Sequence, residues 1–170
     1  MRTLLLLRHA KSSWADPTVP DHDRPLAPRG TGAAKRIRDH LRSEGIRPAL
    51  VLCSSARRAL ETVDALRPAL GDVDVEVDDG LYGADAFDLL DRLRRVGASI
   101  GSVMVVAHNP GLHDLAIDLA ADGEEAAMAQ LHTKFPTAAL ATLDVGSAAW
   151  DQLGPGRAHL MSLVLPRELH

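Results

Sequence analysis

The run Leu4-Leu5-Leu6-Leu7, closed by Arg8-His9-Ala10, constrains this chain more than any other stretch. Four successive leucines do not alternate with polar residues. The strand they form is therefore expected to be buried on both faces. In an open parallel sheet, the residues just past a strand's carboxyl end face the ligand crevice. Arg8 and His9 stand at that point. Taken alone, the dipeptide fits a strand ending in two surface residues equally well.

A chain of 170 residues with 46% hydrophobic content is expected to fold as one domain, residues 1–170, with a real core. The net charge of −4 speaks against a broad nucleic-acid or anionic-membrane surface. Arginine greatly outnumbers lysine, so a phosphate site here would use planar guanidinium forks. The single cysteine, Cys53, cannot form an internal disulfide, and a buried strand position is its simplest reading, with a catalytic thiol the alternative. The leucine run is too short for a signal-peptide core or a membrane span, and a soluble, cytoplasmic protein is expected.

After His9, an irregular loop carries Lys11, Trp14, two prolines and Asp21-His22-Asp23-Arg24-Pro25. Three consecutive residues rarely converge on one ion, and no second cluster joins Asp21, His22 and Asp23, so no metal is expected. Pro28 opens a helix with the stripe Ala34, Ile37 and Leu41, and Gly45 ends it. Strand 49–53 ends in Ser54-Ser55, whose hydroxyls are suited to capping the next helix. That helix carries Ala59, Thr62, Val63 and Leu66, and Pro68 is expected to stop it. Arg58 sits in its first turn, where backbone N–H groups already favour an anion. A strand over 73–77 leads through a turn-rich link to a helix capped by Asp85, striped by Leu89, Leu90 and Leu93, and ended by Gly97. Strand 103–107 runs into His108-Asn109-Pro110-Gly111, where Asn109 as N-cap and Pro110 at the first position start a helix bearing Leu112, Leu115, Ala116 and Leu119. A charged insertion, 122–125, and a short amphipathic piece follow. Strands over 138–143 and 159–165, joined by a turn at Gly154-Pro155-Gly156, close the chain.

Strand and helix alternate, which predicts a three-layer α/β/α sandwich around a mostly parallel sheet. Parallel strands bring Arg8-His9, Ser54-Ser55 with Arg58, and His108-Asn109 to one sheet edge. Two arginines and two histidines there describe a dianion pocket. Arg8 and Arg58 are suited to hold phosphoryl oxygens, and His108 to donate or accept a proton. His9 is placed to attack phosphorus, and a phosphohistidine intermediate would split one displacement into two. Losing one cationic donor would cost about 3–4 kcal/mol in the barrier, by analogy with oxyanion-hole removals. A nucleophilic histidine must be neutral; a free one titrates near about 6.5, and flanking guanidinium charges are expected to lower that value.

These residues resemble the histidine phosphatase superfamily, or phosphoglycerate mutase-like fold, and most closely its small SixA-type phosphohistidine phosphatase branch. The family opens on strand-Arg-His-Gly; here the residues are Leu7-Arg8-His9-Ala10, with alanine for glycine. Its second motif, Ser-Pro-x-x-Arg-Ala-x-Gln-Thr, is matched by Ser54 to Thr62, with serine for proline and glutamate for glutamine, which selects Arg58 over Arg57. Val106-Ala107-His108-Asn109-Pro110-Gly111 matches the strand, second histidine and helix start. Arg24-Pro25-Leu26-Ala27-Pro28-Arg29-Gly30 and Lys134-Phe135-Pro136-Thr137 are also like this branch. The resemblance implies His9 as the phosphorylated nucleophile, with Arg8, Arg58 and His108 completing the catalytic set and no cofactor. It implies that Arg24 can reach the phosphate; Asn109 and Lys11 are further candidates for binding substrate.

Many members carry an acid between the second and third motifs that protonates an alkoxide leaving group. Here the stretch 78–85 shows no such motif. Asp79 and Asp85 are candidates, Asp85 also serving as an N-cap. Without an acid, a phosphoramidate such as phosphohistidine in a protein is the expected substrate. A small-molecule phosphomonoesterase and a non-catalytic phospho-ligand module are the alternatives. His22 and His132 lie near the site edge; His113 reads as structural.

Overall fold

The computed structural model describes residues 1–170. Its strands are β1 (Arg2–Arg8), β2 (Leu50–Ser54), β3 (Asp74–Asp78), β4 (Ser102–Ala107), β5 (Ala120–Gly123), β6 (Leu140–Gly146) and β7 (Ala158–Val164). Its α-helices are α1 (Pro28–Ser43), α2 (Arg57–Leu70), α3 (Ala86–Arg94), α4 (Gly111–Leu119) and α5 (Glu125–Thr133). The sheet order is β3-β2-β4-β1-β6-β7-β5. The pairs β3–β2, β2–β4, β4–β1 and β5–β7 are parallel; β6 alone runs against both its neighbours.

Leu4, Leu5, Leu6 and Leu7 are each at most 1% exposed, as a strand buried on both faces requires. Leu5 and Leu7 pack with Ala34, Ile37 and Leu41 of α1 and Val63 and Leu66 of α2. Leu4 and Leu6 pack with Leu89 and Leu93 of α3, Leu112 and Leu115 of α4, and Leu131 of α5. The helices thus cover both faces, and the sheet is the middle layer. Cys53 is buried, and burial pushes its thiol up to about 12, so it is an inert core residue. No helix is long and apolar enough to cross a membrane.

Several local expectations are corrected. Pro68 does not stop α2, which runs on to Leu70 and ends at Gly71 with φ +68°. A proline this close to a helix end removes a single hydrogen bond, and the turn at Gly71 is what terminates the helix. Gly97 does not cap α3, which stops at Arg94 with Arg95 as its cap. Ser54 and Ser55 do not cap α2, because the chain enters that helix one residue later, through Ala56. Asn109 does not cap α4; the chain passes a cis Asn109–Pro110 bond and the helix starts at Gly111. β5, an edge strand paired with β7, overlaps the start of the charged insertion, and Glu124 caps α5 by accepting from Ala126 and Ala127 N–H. Asp85 does cap α3, in a reciprocal capping box with Asp88.

The loop after β1 is folded back on itself. Ser13 N–H donates to the Pro25 carbonyl (2.8 Å) and Ala27 N–H to that of Lys11 (2.9 Å). Leu26 N–H donates to Glu61 on α2 (2.8 Å), so the loop is anchored to the helix that carries Arg58. Gly30 allows α1 to lie against it, since a Cβ there would stand 2.0 Å from the Lys11 carbonyl oxygen. Gly32, one half-turn on, faces open space. Gly30→Ala should therefore destabilise the fold by about 1–3 kcal/mol through overpacking. Gly32→Ala should instead stabilise it by about 0.5–1 kcal/mol, because the added methyl meets nothing and reduces the conformational freedom of the unfolded chain. Urea unfolding of the two variants beside the parent chain checks both signs.

Candidate active site

β1, β2 and β4 are parallel neighbours in the sheet, so their carboxyl ends open on one side. Arg8, His9, Lys11, Arg24, Arg58, His108 and Asn109 line one cavity there, of about 300 Å³, together with Ser12, Trp14 and Thr137. The seven residues assigned from the sequence to the catalytic set or to substrate binding are all in this set, but the acid candidates Asp79 and Asp85 are not. No carboxylate lines the cavity.

His9 is 6% exposed, and its Nδ1 lies 2.7 Å from the Ala10 carbonyl oxygen. A carbonyl only accepts, so Nδ1 carries the ring proton and Nε2 keeps its lone pair. The Ala10 position is held in turn by Thr62, whose hydroxyl accepts from Ala10 N–H (3.0 Å) and donates to the Arg58 carbonyl (2.7 Å). The last residue of the second motif therefore ties the backbone just after His9 to the helix that carries Arg58.

The His108 ring lies 5.0 Å from that of His9, centroid to centroid. Its Nε2 is 2.7 Å from Ser54 Oγ, which also accepts from Ala56 N–H (3.2 Å). The buried Ser54 hydroxyl has its proton left to give, and His108 Nε2 is the acceptor in reach. The His108 hydrogen then sits on Nδ1, a buried atom without a protein partner.

Arg58 donates from Nη1 to the Asp21 carbonyl (2.8 Å) and from Nη2 to the Asp21 carboxylate (3.1 Å). Arg24 donates from Nε to the same carboxylate (3.2 Å), and the Tyr82 hydroxyl donates to it at 2.6 Å. Asp21 thus joins two arginines and a tyrosine from three separate segments. The Tyr82 hydrogen bond, followed by those from Arg58, brings the Asp21 carboxyl down to about 2, so it is an anion and not an acid. Arg24 also lies over the Trp14 ring, 3.5 Å from its centroid, although Trp14 itself is 74% exposed. Arg8 and Asn109 both donate to the Phe135 carbonyl, at 3.3 and 2.7 Å.

Arg8 Nε, Arg24 Nη1, Arg58 Nε and His108 Nδ1 are buried with no partner in the protein. Leaving one buried donor unmet costs roughly 1–3 kcal/mol, and four at one cavity mark a place prepared for an anion's oxygens. The arrangement can bind a tetrahedral dianion and present a neutral imidazole nitrogen to its centre. It is poorly suited to a cation, because guanidinium groups surround it. Asp21, His22 and Asp23 do not converge as ligands, and no group of three or more His, Cys, Asp or Glu side chains does.

His9 is lowered to about 3 and His108 to about 4. Burial is the largest cause in both; the charges of Arg58 and Arg8 add to it. The direction agrees with the sequence reading, but desolvation rather than guanidinium charge dominates. Asp79 and Asp85, the two acid candidates, are elsewhere: Asp79 is exposed in the turn after β3, and Asp85 is engaged in its capping box. His22 touches Ser55 (2.9 Å) and the Tyr82 ring at the rim. His113 bonds the Leu131 carbonyl (2.6 Å) and stacks on Phe135, a structural role. Sequence reasoning missed Asp21 as an arginine clamp, Ser54 as the partner of His108, and Tyr82. The Asp-x-x-Arg spacing of Asp21 and Arg24 was the one available signal.

The profile of the histidine phosphatase superfamily (branch 1) matches residues 4–89. An uncharacterized protein of Mycobacterium tuberculosis is 39% identical over 163 residues, covering 95% of this chain and 100% of its own. Two solved structures, from Nakamurella multipartitia and Agrobacterium tumefaciens, are each described as a candidate phosphohistidine phosphatase SixA. Both are 32% identical with a TM-score of 0.83, covering 97% of this chain and 96% and 98% of theirs.

Because both histidine pKa values lie below 6.5, the native state binds fewer protons than the unfolded chain between roughly pH 3 and 6.5. Their burial as neutral rings makes stability rise with pH across that window and fall as the solution is acidified through it. NMR titration of the ring carbons in phosphate-free buffer should find His9 and His108 neutral down to about pH 5. Inorganic phosphate should raise both midpoints. A midpoint near the ordinary value for either ring in the free protein would contradict the desolvation argument.

Proposed function

We propose, from the premise that this chain belongs to the histidine phosphatase superfamily (branch 1), that it is a phosphatase working through a phosphohistidine intermediate on His9, with phosphohistidine in proteins as its substrate. The observation that carries this reading is the fixed tautomer of His9 beside four unmet buried donors. A module that only held a phosphate would have no use for a nucleophilic nitrogen among them.

In the first step His9 Nε2 attacks phosphorus and the substrate's P–N bond breaks. When the other nitrogen of the substrate imidazole is protonated, that ring leaves as neutral imidazole and needs no acid from the enzyme. In the second step water attacks the phosphorus on His9, the P–Nε2 bond breaks, and inorganic phosphate leaves with the water's protons. Arg8, Arg24 and Arg58 spread the phosphoryl charge, and His108 Nδ1–H supplies a neutral donor. Lys11 and Asn109 are assigned to substrate contact at the cavity wall. Both steps use the chain's own groups, so no metal is required. The carboxylate-free lining favours a phosphoramidate over an ester, whose alkoxide would leave without help. The candidate SixA names of the two solved relatives lend the same substrate class.

The test is phosphate release from a phosphohistidine peptide with chelator present, beside the matching phosphoserine peptide. Release should be confined to phosphohistidine, and His9→Ala should lower it by roughly 10³-fold or more. Acid quench should trap an acid-labile phosphoryl group on the parent enzyme and none on the variant. Activity surviving in His9→Ala, or preference for phosphoserine, would refute the proposal. Arg58→Ala should lower kcat by about 10²–10³-fold, since it removes a donor to the developing charge and releases Asp21.

A further inference from the structure

Next to the His9 pocket lies a larger cavity of about 530 Å³. Lys11 and Thr137 line both, so the two spaces adjoin at these residues. Five cationic side chains line the larger one, Lys11, Arg29, Arg36, Lys134 and Arg167, and no carboxylate does. They come from separate places: the segment after β1, the helix α1, the segment after α5, and the 3-10 turn Pro166–Glu168 that packs on α1. Arg24, Arg38, Arg57, Arg58, Arg67, Arg92 and Arg95 are all paired with acids of the chain, but none of these five is. On a chain of net charge −4 this is a strong local excess of positive potential, facing a concavity.

The character of the two spaces differs. Arg24 and Arg58 in the His9 pocket are 7% and 6% exposed and held by Asp21. All five cations of the larger cavity are exposed. The buried donors without partners that mark an anion site around His9 have no counterpart here. Rigid, buried donors suit a small anion of fixed shape. Long, exposed cations suit a charged segment whose shape varies, held by many weak pairs.

We propose that this basic cavity docks an acidic stretch of the protein substrate flanking its phosphorylated histidine. The proposal rests on the phosphoprotein reading of the His9 site and deepens it by locating substrate recognition. With phosphohistidine in the inner pocket, neighbouring residues pass Lys11 and Thr137 and lie among Arg29, Arg36, Lys134 and Arg167. Exposed pairs of this kind raise encounter rates and affinity, are screened by salt, and leave the chemical step alone.

The experiment compares the parent enzyme with the double variant Arg36→Glu/Arg167→Glu on three substrates: phosphoramidate, a phosphohistidine peptide with acidic flanks, and the same peptide with neutral flanks. The parent enzyme should favour acidic flanks through KM, by roughly tenfold at low salt, and the preference should shrink at about 0.5 M salt. The double variant should lose or invert that preference while keeping kcat and phosphoramidate hydrolysis. Equal KM for the two peptides in the parent enzyme, or a preference that survives charge reversal, would overturn the proposal. Loss of phosphoramidate hydrolysis in the variant would also overturn it, by placing these residues in the chemistry. Fluorescence anisotropy with the acidic peptide, its histidine unphosphorylated, tests docking independently of turnover: it should bind the parent protein and not the variant. If the parent enzyme hydrolyses none of the three yet binds this peptide, the His9 reading fails and the docking surface stands; failure to bind refutes docking.

Discussion

Leu4, Leu5, Leu6 and Leu7 are at most 1% exposed, two on either side of the sheet, and the rest of the structure has to satisfy that burial. A strand without a wet face needs a layer on each side. α1 and α2 supply one, and α3, α4 and α5 the other. The helical crossovers this requires make β4, beside β1, and β2 beyond it parallel to β1, while β6 on the other side runs antiparallel. Parallel neighbours end together, so His9, Arg58 and His108 meet at one edge although they are far apart in sequence. The position of the site is in that sense a consequence of four leucines.

Concentrating three guanidinium groups and two imidazoles at one buried edge carries an electrostatic cost. Asp21 offsets it. Its carboxylate and carbonyl take three donations from Arg24 and Arg58, and Tyr82 adds a fourth hydrogen bond. The imidazoles answer differently, by staying neutral, because burial disfavours their charged forms more than any neighbour favours them. One environment thus keeps arginines charged and histidines uncharged. The reason is intrinsic: a guanidinium holds its proton far more tightly than an imidazole does, so the same desolvation leaves one cationic and the other neutral. A phosphoryl group would meet fixed positive charge and a free nitrogen lone pair together.

The residues legible beforehand were those whose meaning is local. Arg8 and His9 follow an apolar run, Arg58 opens a helix after a strand, and His108 repeats the pattern of His9. Each carries its address in its immediate neighbours. Ser54 was misread because a hydroxyl after a strand fits an N-cap equally well; its actual partner is a ring on β4's far end. Asp21 and Tyr82 look like any loop aspartate and tyrosine until the loop folds back and α2 is beside it. β5 was invisible because Ala-Ala-Asp-Gly has no alternation to read, and only pairing with β7 makes it a strand.

What the sequence determined by itself is the layer architecture, through the doubly buried strand and the apolar stripes of the helices, and the identity of the groups at the sheet edge, through the alternation of strand and helix. Hydrophobic periodicity is a property of the chain and survives without coordinates. Only the tertiary structure decided which tautomer His9 holds, which carboxylate clamps the arginines, and which donors are left unmet. Hydrogen bonds depend on ångström distances between segments remote in sequence, and no local pattern encodes them. The same holds for the second, basic cavity, whose five cations are unremarkable singly and line one concavity only when α1, the two site segments and the Pro166–Glu168 turn are brought side by side.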